Sequence, residues 1–124
     1  NTRNLPEVLG LGVALDFQNL MRAGRRQARI YELKDYFRQA MGDDAAFKTK
    51  TPANDDLSAG ITTVELVGHD VLRVAKTLAE RHRIDCRPMM SHGLNGLRIS
   101  LSVFNNESQV DVLVTALREL VESE

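Results

Sequence analysis

The 124-residue chain has one cysteine, Cys86, and almost no net charge. With a single thiol it cannot form an internal disulfide, which favours a reducing cytoplasm. A formal net charge of −1 gives no general attraction to nucleic acid or to anionic lipid. No apolar run approaches the roughly 20 residues that a membrane span needs, and we expect no signal peptide. We therefore expect a cytoplasmic protein with no nucleic-acid or membrane partner.

Sequence motifs for several kinds of catalytic site are also missing. The sequence has no glycine-rich phosphate loop, no nucleophile elbow and no paired-carboxylate signature. No Cys/His spacing resembles a zinc site, so we expect His69, His82 and His92 to be surface residues. We also expect Cys86 to be a small strand residue rather than a reactive thiol. Spacing alone thus predicts no catalytic or metal centre.

The chain does have the composition of one globular domain with a real core, because 43% of its residues are hydrophobic and 27% are charged. Its most informative stretch is Gly96–Asn106, in which apolar and polar residues alternate with the period of a strand that has one buried face. This alternation runs to Val103 and predicts a strand that ends at Asn105–Asn106, with Arg98 on its polar face. Asn106 and Gln109 then have the spacing of a capping box, and an amphipathic helix follows.

Two helices are predicted before the first strand. Asn4 reads as the N-cap of the first helix, whose apolar residues, together with Gly10 and Gly12, predict a widely buried face and a close packing partner. Gly24 would close or kink this helix, and a second helix would start near Arg25. The basic cluster at the junction is either a solvated or salt-bridged surface or a contact for phosphate or a partner. Its members are Arg22, Arg25, Arg26 and Arg29.

The remaining segments predict a small sheet. Phe47–Lys50 and Ile61–Val67 read as a hairpin with a long loop, a helix follows Asp70, and Ile84–Pro88 reads as a third strand. This order predicts an α+β two-layer sandwich: a largely antiparallel sheet of about four strands with helices packed on it, preceded by a long helix. We assign residues 1–24 to a linking helix and residues 25–124 to the small α+β domain.

Several segments, in this order, carry a resemblance to a known family. They are Ser58–Leu66, then a helix, Arg83–Pro88, Gly96–Ser100 and Phe104–Asn106 before the last helix. This arrangement resembles the C-terminal small domain of class V aminotransferases, which are fold-type-I pyridoxal-phosphate enzymes. The branch it resembles most is isopenicillin N epimerase-like, with cysteine desulfurases more distant. The opening Asn1–Asn4 is similar to a Gly-Thr segment of that family, although Asn1 replaces the glycine.

The resemblance implies roles for two residues. Arg98 matches the arginine that binds the α-carboxylate of the amino-acid substrate; otherwise Arg98 would be a surface arginine paired with an acid. Thr2 matches a threonine that reaches the cofactor phosphate, commonly across a dimer interface; otherwise it has no role. The family's Schiff-base lysine lies in a large domain, so this chain alone would not be catalytic. The implied partners are that large domain of the same parent chain, a second copy in a homodimer and an amino-acid substrate.

The sequence leaves two kinds of function open. The first is the C-terminal domain of a pyridoxal-phosphate enzyme of aminotransferase, epimerase or lyase type. The second is a stand-alone amino-acid-binding or protein-interaction regulatory domain, because small α+β folds serve many purposes and fold does not fix function.

Overall fold

The computed structural model describes residues 4–123, and this range contains four α-helices and four strands. The helices are α1 (Leu5–Met21), α2 (Ala23–Met41), α3 (Val71–Thr77) and α4 (Glu107–Glu122). The strands are β1 (Phe47–Thr49), β2 (Ile61–Leu66), β3 (Arg87–Met89) and β4 (Gly96–Ser100). A π-helical turn, Leu78–His82, continues α3, and a 3-10 turn, Ser91–Gly93, joins β3 to β4. Over residues 4–123, no helix is long and apolar enough to cross a bilayer.

The four strands form one sheet in the order β1-β2-β4-β3, and every neighbouring pair is antiparallel. Strand β4 lies between β2 and β3, which therefore run parallel to each other, and α3 lies on the connection between them. The predicted largely antiparallel sheet of four strands is confirmed.

The core lies between the sheet and the helices α2, α3 and α4. From the central strand, Leu97 and Ile99 point into it and are 0% and 3% exposed. From α4, the predicted apolar stripe supplies Val110, Leu113 and Leu117, which are also buried. Together with buried side chains of α2 and α3 these residues form one continuous hydrophobic cluster. The α+β two-layer fold predicted from the sequence is therefore confirmed.

Two strand boundaries differ from the prediction by three residues or more. Strand β4 ends at Ser100 rather than at Asn105–Asn106, because the next residues form a turn in which Ser102 N–H donates to Asn105 Oδ1 at 2.9 Å. The third strand begins at Arg87 rather than at Ile84. The segment before it closes the π-helical turn, since Ile84 N–H donates to the Leu78 carbonyl at 3.1 Å.

The break between the first two helices falls at Arg22, where φ is +58°, and not at Gly24. Arg22 N–H donates to the Asn19 carbonyl at 3.1 Å, which ends α1, and Gly24 lies inside the first turn of α2. The hydrophobic pattern of a helix does not identify the residue that adopts a positive φ at its end. Glycine is only the residue type that does so most often. The division of the chain at residues 24 and 25 stays a prediction.

Helix α1 is not buried by the rest of the described chain, contrary to the prediction of a wide buried face. None of its residues is buried, and Val13 and Leu20 are 70% and 79% exposed. A Cβ added at Gly10 or Gly12 would meet nothing within 4 Å, so the expected close partner is not part of residues 4–123. The Phe17 ring does stack on Phe104, with centroids 6.5 Å apart.

Polar contacts join α2 to the rest of the small domain. Arg29 donates to both carboxylate oxygens of Glu107 at 2.7 and 2.9 Å, which links α2 to the start of α4. The hydrogen bond from Arg29, followed by backbone hydrogen bonding at the helix start, lowers the pKa of Glu107 to about 2. Lys34 is fully buried and pairs with Asp55, so it connects α2 to the loop between β1 and β2.

Cys86 lies in the core just before β3 and is 8% exposed. Burial, and then the negative charge of Asp85, raise the pKa of the Cys86 thiol to about 11. Since the thiolate is the reactive form, this thiol is almost entirely in its unreactive state at neutral pH. Cys86 is buried as expected of a structural residue, but the prediction that it lies in a strand is wrong, because β3 begins at Arg87.

The capping box of α4 predicts a stability loss in Asn106→Ala. The Asn106 side chain accepts from Gln109 N–H, and the Gln109 side chain accepts from Asn106 N–H. Removing such a cap costs about 1 kcal/mol of unfolding free energy, measurable by urea denaturation. Asn4→Ala is the matched control, because Asn4 precedes α1 but its side chain makes no cap hydrogen bond. Equal losses in the two variants would contradict the assignment.

The contact between Arg29 and Glu107 predicts a pH-dependent contribution to stability. The folded-state pKa of Glu107, about 2, lies below its unfolded value of about 4.3, so the contribution is complete above that value and is lost as pH falls toward 2. The difference in unfolding free energy between wild type and Glu107→Gln should therefore shrink between pH 5 and pH 2. Glu119→Gln, in the same helix and exposed, is the control. A constant difference across this range would contradict the prediction.

The buried thiol predicts slow alkylation of Cys86. At pH 8 iodoacetamide should react with it on the order of a hundredfold more slowly than with an exposed cysteine, because little thiolate is present. The comparison is Ser91→Cys in a Cys86→Ser background, which places one thiol at an exposed position. Similar rates for the two thiols, followed by mass spectrometry, would show that Cys86 is accessible and ionised.

Candidate functional site

The face of the sheet opposite the helices carries a row of polar side chains across three strands. Arg98 of β4 lies directly opposite Thr63 of β2 on one side and Arg87 of β3 on the other. Residues directly opposite each other in antiparallel strands project from the same face. Because Leu97 and Ile99 are buried against the helices, this row must project from the other face.

Arg98 has no internal partner for its charge. Throughout residues 4–123 its guanidinium makes no ion pair or side-chain hydrogen bond. Its Nε atom is buried and lacks an acceptor, although the residue as a whole is half-buried. Buried polar atoms are nearly always hydrogen-bonded in folded proteins, so this donor is available to an acceptor from outside the domain. The alternative of an arginine paired with a neighbouring acid does not apply within the described chain.

Arg98 lines a cleft at the β3 edge of the sheet, which we call the arginine cleft. Its volume is about 450 Å³, within the range of small-molecule sites. Its lining residues are Asp85, Cys86, Arg87, Pro88, Arg98 and Ser100. A guanidinium at such a site can form two parallel charge-assisted hydrogen bonds to a carboxylate. The arginine cleft therefore suits a small anionic ligand.

A second cleft of about 450 Å³ lies on the other side of the Asp85–Cys86 segment. It is lined by residues 82–86, the end of β4 and the first turns of α4, and its lining does not include Arg98. Arg98 has a buried unpaired donor and lines the arginine cleft but not the second cleft, so we place the candidate site in the arginine cleft.

None of the four lysines lines the arginine cleft. Lys34 is paired with Asp55 and Asp35 under the loop, and Lys50 pairs with Glu65 at 2.7 Å. The basic cluster at the junction of α1 and α2 is partly paired as well, since Arg26 donates to Gln18 and Arg29 to Glu107. Within the part of the chain that the structure describes, no cluster of His, Cys, Asp and Glu has the arrangement of a metal site.

The two site residues predicted from the sequence have different outcomes. Arg98 lies on the open sheet face, as its strand position predicted, and it also lines the arginine cleft, while its role in substrate binding stays a prediction. Thr2 lies outside the described residues, so its role stays a prediction. Arg87 was not predicted as a site residue, because its place beside Arg98 depends on the pairing of β3 with β4. The available signal was an arginine on each of two consecutive predicted strands.

Comparison with known proteins gives both sequence and fold relatives. The chain is 32% identical over 120 residues to isopenicillin N epimerase of Amycolatopsis lactamdurans. The aligned region covers 96% of this chain and 30% of that protein. No protein-family model matches the chain.

Two solved cysteine desulfurases share the fold. The enzyme from Thermococcus onnurineus NA1 superimposes with a TM-score of 0.84 at 23% identity, over all of this chain and 33% of that one. The enzyme CsdA from Escherichia coli gives a TM-score of 0.80 at 22% identity, over 98% of this chain and 32% of that one.

The chain spans only about a third of the length of these relatives, and the match extends along nearly all of it. The sequence match and the fold agree with the arrangement of segments that pointed to this family. The chain is therefore similar, along nearly its whole length, to one part of the class V pyridoxal-phosphate enzymes, and its fold is that of a small α+β domain.

Proposed function

We propose that this chain supplies the arginine that binds the α-carboxylate of an amino-acid substrate in a larger pyridoxal-phosphate enzyme. The observation that carries the proposal is the guanidinium of Arg98, which lines a cleft of about 450 Å³ and has a buried donor without an acceptor. The family relationship supports pyridoxal phosphate as the cofactor of the full-length parent.

The proposed role of Arg98 is to bind and orient. Two parallel hydrogen bonds from a planar guanidinium fix both the position and the rotation of a carboxylate. Arg98 would in this way determine which bond at the substrate Cα is presented to a bound cofactor. The cofactor, when bound, supplies the electron sink for that bond. Strand β4 provides the rigidity, because it is hydrogen-bonded on both edges.

Other parts of the proposed enzyme would come from outside the described residues. Because no lysine lines the arginine cleft, we propose that the Schiff-base lysine belongs to a large domain of the same parent chain. Thr2 would reach the cofactor phosphate, across a homodimer interface. The exposed apolar residues of α1 support such an arrangement, since a face of this size needs a cover from the large domain or a second subunit. This chain alone would then not turn over substrate.

A stand-alone amino-acid-binding or regulatory domain is the less well supported alternative. The arginine cleft would serve that function as well, but the uncovered face of α1 argues against an independent domain. Calorimetry of the isolated chain with amino acids separates the two functions. Micromolar binding without cofactor would favour the stand-alone domain.

In the full-length parent, Arg98→Lys should raise KM for the amino-acid substrate roughly tenfold or more, because lysine cannot form the two parallel bonds. The absorbance band of the bound cofactor should be unchanged, since Arg98 is proposed to contact substrate only. Arg81→Lys is the matched control, because Arg81 is exposed in the π-helical turn and lines neither cleft. An unchanged KM would contradict the proposed role, and loss of the cofactor band would make Arg98 a structural residue.

A further inference from the structure

Two arginines meet at the candidate site. Arg87 and Arg98 are directly opposite in the β3–β4 pair, and both line the arginine cleft. The Cβ atoms of such opposed residues are about 4.5 to 5.5 Å apart, so the two side chains leave the sheet together from one face.

Like charges at directly opposed positions destabilise a sheet unless something neutralises them. The contacts described for residues 4–123 include no acid that pairs with Arg87 or Arg98. Asp85 lines the same cleft but forms no ion pair with either guanidinium. Elsewhere on the sheet, by contrast, Lys50 and Glu65 pair at 2.7 Å. The cleft therefore has the positive charges of Arg87 and Arg98, neither of them ion-paired within residues 4–123, against the single negative charge of Asp85.

We propose that the ligand of the arginine cleft has two anionic groups, and that Arg87 binds the second. This inference rests on the proposed function, in which Arg98 binds the α-carboxylate. The substrate is then an amino acid whose side chain carries a second anionic group, such as a carboxylate. Arg87 is the more exposed of the two arginines, which places the second anionic group toward the mouth of the cleft.

This arrangement would make Arg87 a specificity-determining residue. A binding site that pairs a charged side chain with the ligand binds an uncharged analogue weakly, because the charged side chain of the protein is then left without a partner. A neutral side chain would leave Arg87 beside Arg98 with the like-charge repulsion uncompensated. Arg98 would contribute to the binding of every amino acid, whereas Arg87 would contribute only to the acidic ones.

The test measures equilibrium binding of unreactive carboxylates to the full-length protein by calorimetry. Succinate is compared with butanoate, and glutarate with pentanoate, so that each dicarboxylate has a monocarboxylate of equal length. We expect the dicarboxylate to bind at least roughly tenfold more tightly to wild type. Arg87→Gln should reduce this preference to within about threefold. Arg98→Gln should weaken both ligands, and Arg81→Gln is the control for removal of an exposed charge.

The outcomes separate this inference from the proposed function. If Arg98→Gln weakens both ligands but Arg87→Gln leaves the dicarboxylate preference intact, the two-anion site is wrong and the proposed function stands. Equal affinity of wild type for both ligands would also overturn the two-anion site. If Arg98→Gln has no effect on monocarboxylate binding, the proposed function itself is wrong. Urea midpoints of all variants identify a loss of binding caused by unfolding.

Discussion

The position of Arg98 depends on the pairing of β4 with a strand on each side. Residues 96–100 are hydrogen-bonded to β2 along one edge and to β3 along the other, so the strand has no free edge. Leu97 and Ile99 occupy the core face, which leaves Arg98 on the opposite face. A slip of one residue in register would exchange the two faces, burying a guanidinium and exposing both apolar side chains. The packing of the core therefore determines which way the arginine points.

The helices pack against the face of the sheet opposite Arg98 and stabilise this arrangement. Helix α4 begins at a complete capping box and places its apolar stripe on the sheet, so the strand beneath it cannot shift without opening the core. The bidentate contact of Arg29 with Glu107 and the buried Lys34 tie α2 to the same unit. These arginine and lysine charges are neutralised within the domain. Within residues 4–123 the two arginines on the open face have no such partner, which is why we propose that they bind a ligand.

Most of the fold was predictable because it follows from local pattern. The alternation around Arg98 predicted β4 and its buried face, and the spacing of Asn106 and Gln109 predicted the start of α4. The helix break at Arg22 was missed, since a positive φ at a non-glycine residue leaves no pattern in the sequence. The pairing of Arg87 with Arg98 was missed for a different reason. It depends on the register of two strands, which contacts distant in sequence determine.

The most direct test of the account is a crystal structure of the full-length parent with a bound, unreactive amino-acid analogue. The account predicts that both α-carboxylate oxygens lie about 2.9 Å from guanidinium nitrogens of Arg98, in the parallel geometry of a bidentate pair. A carboxylate bound elsewhere, with Arg98 paired to an acid of the parent, would contradict it.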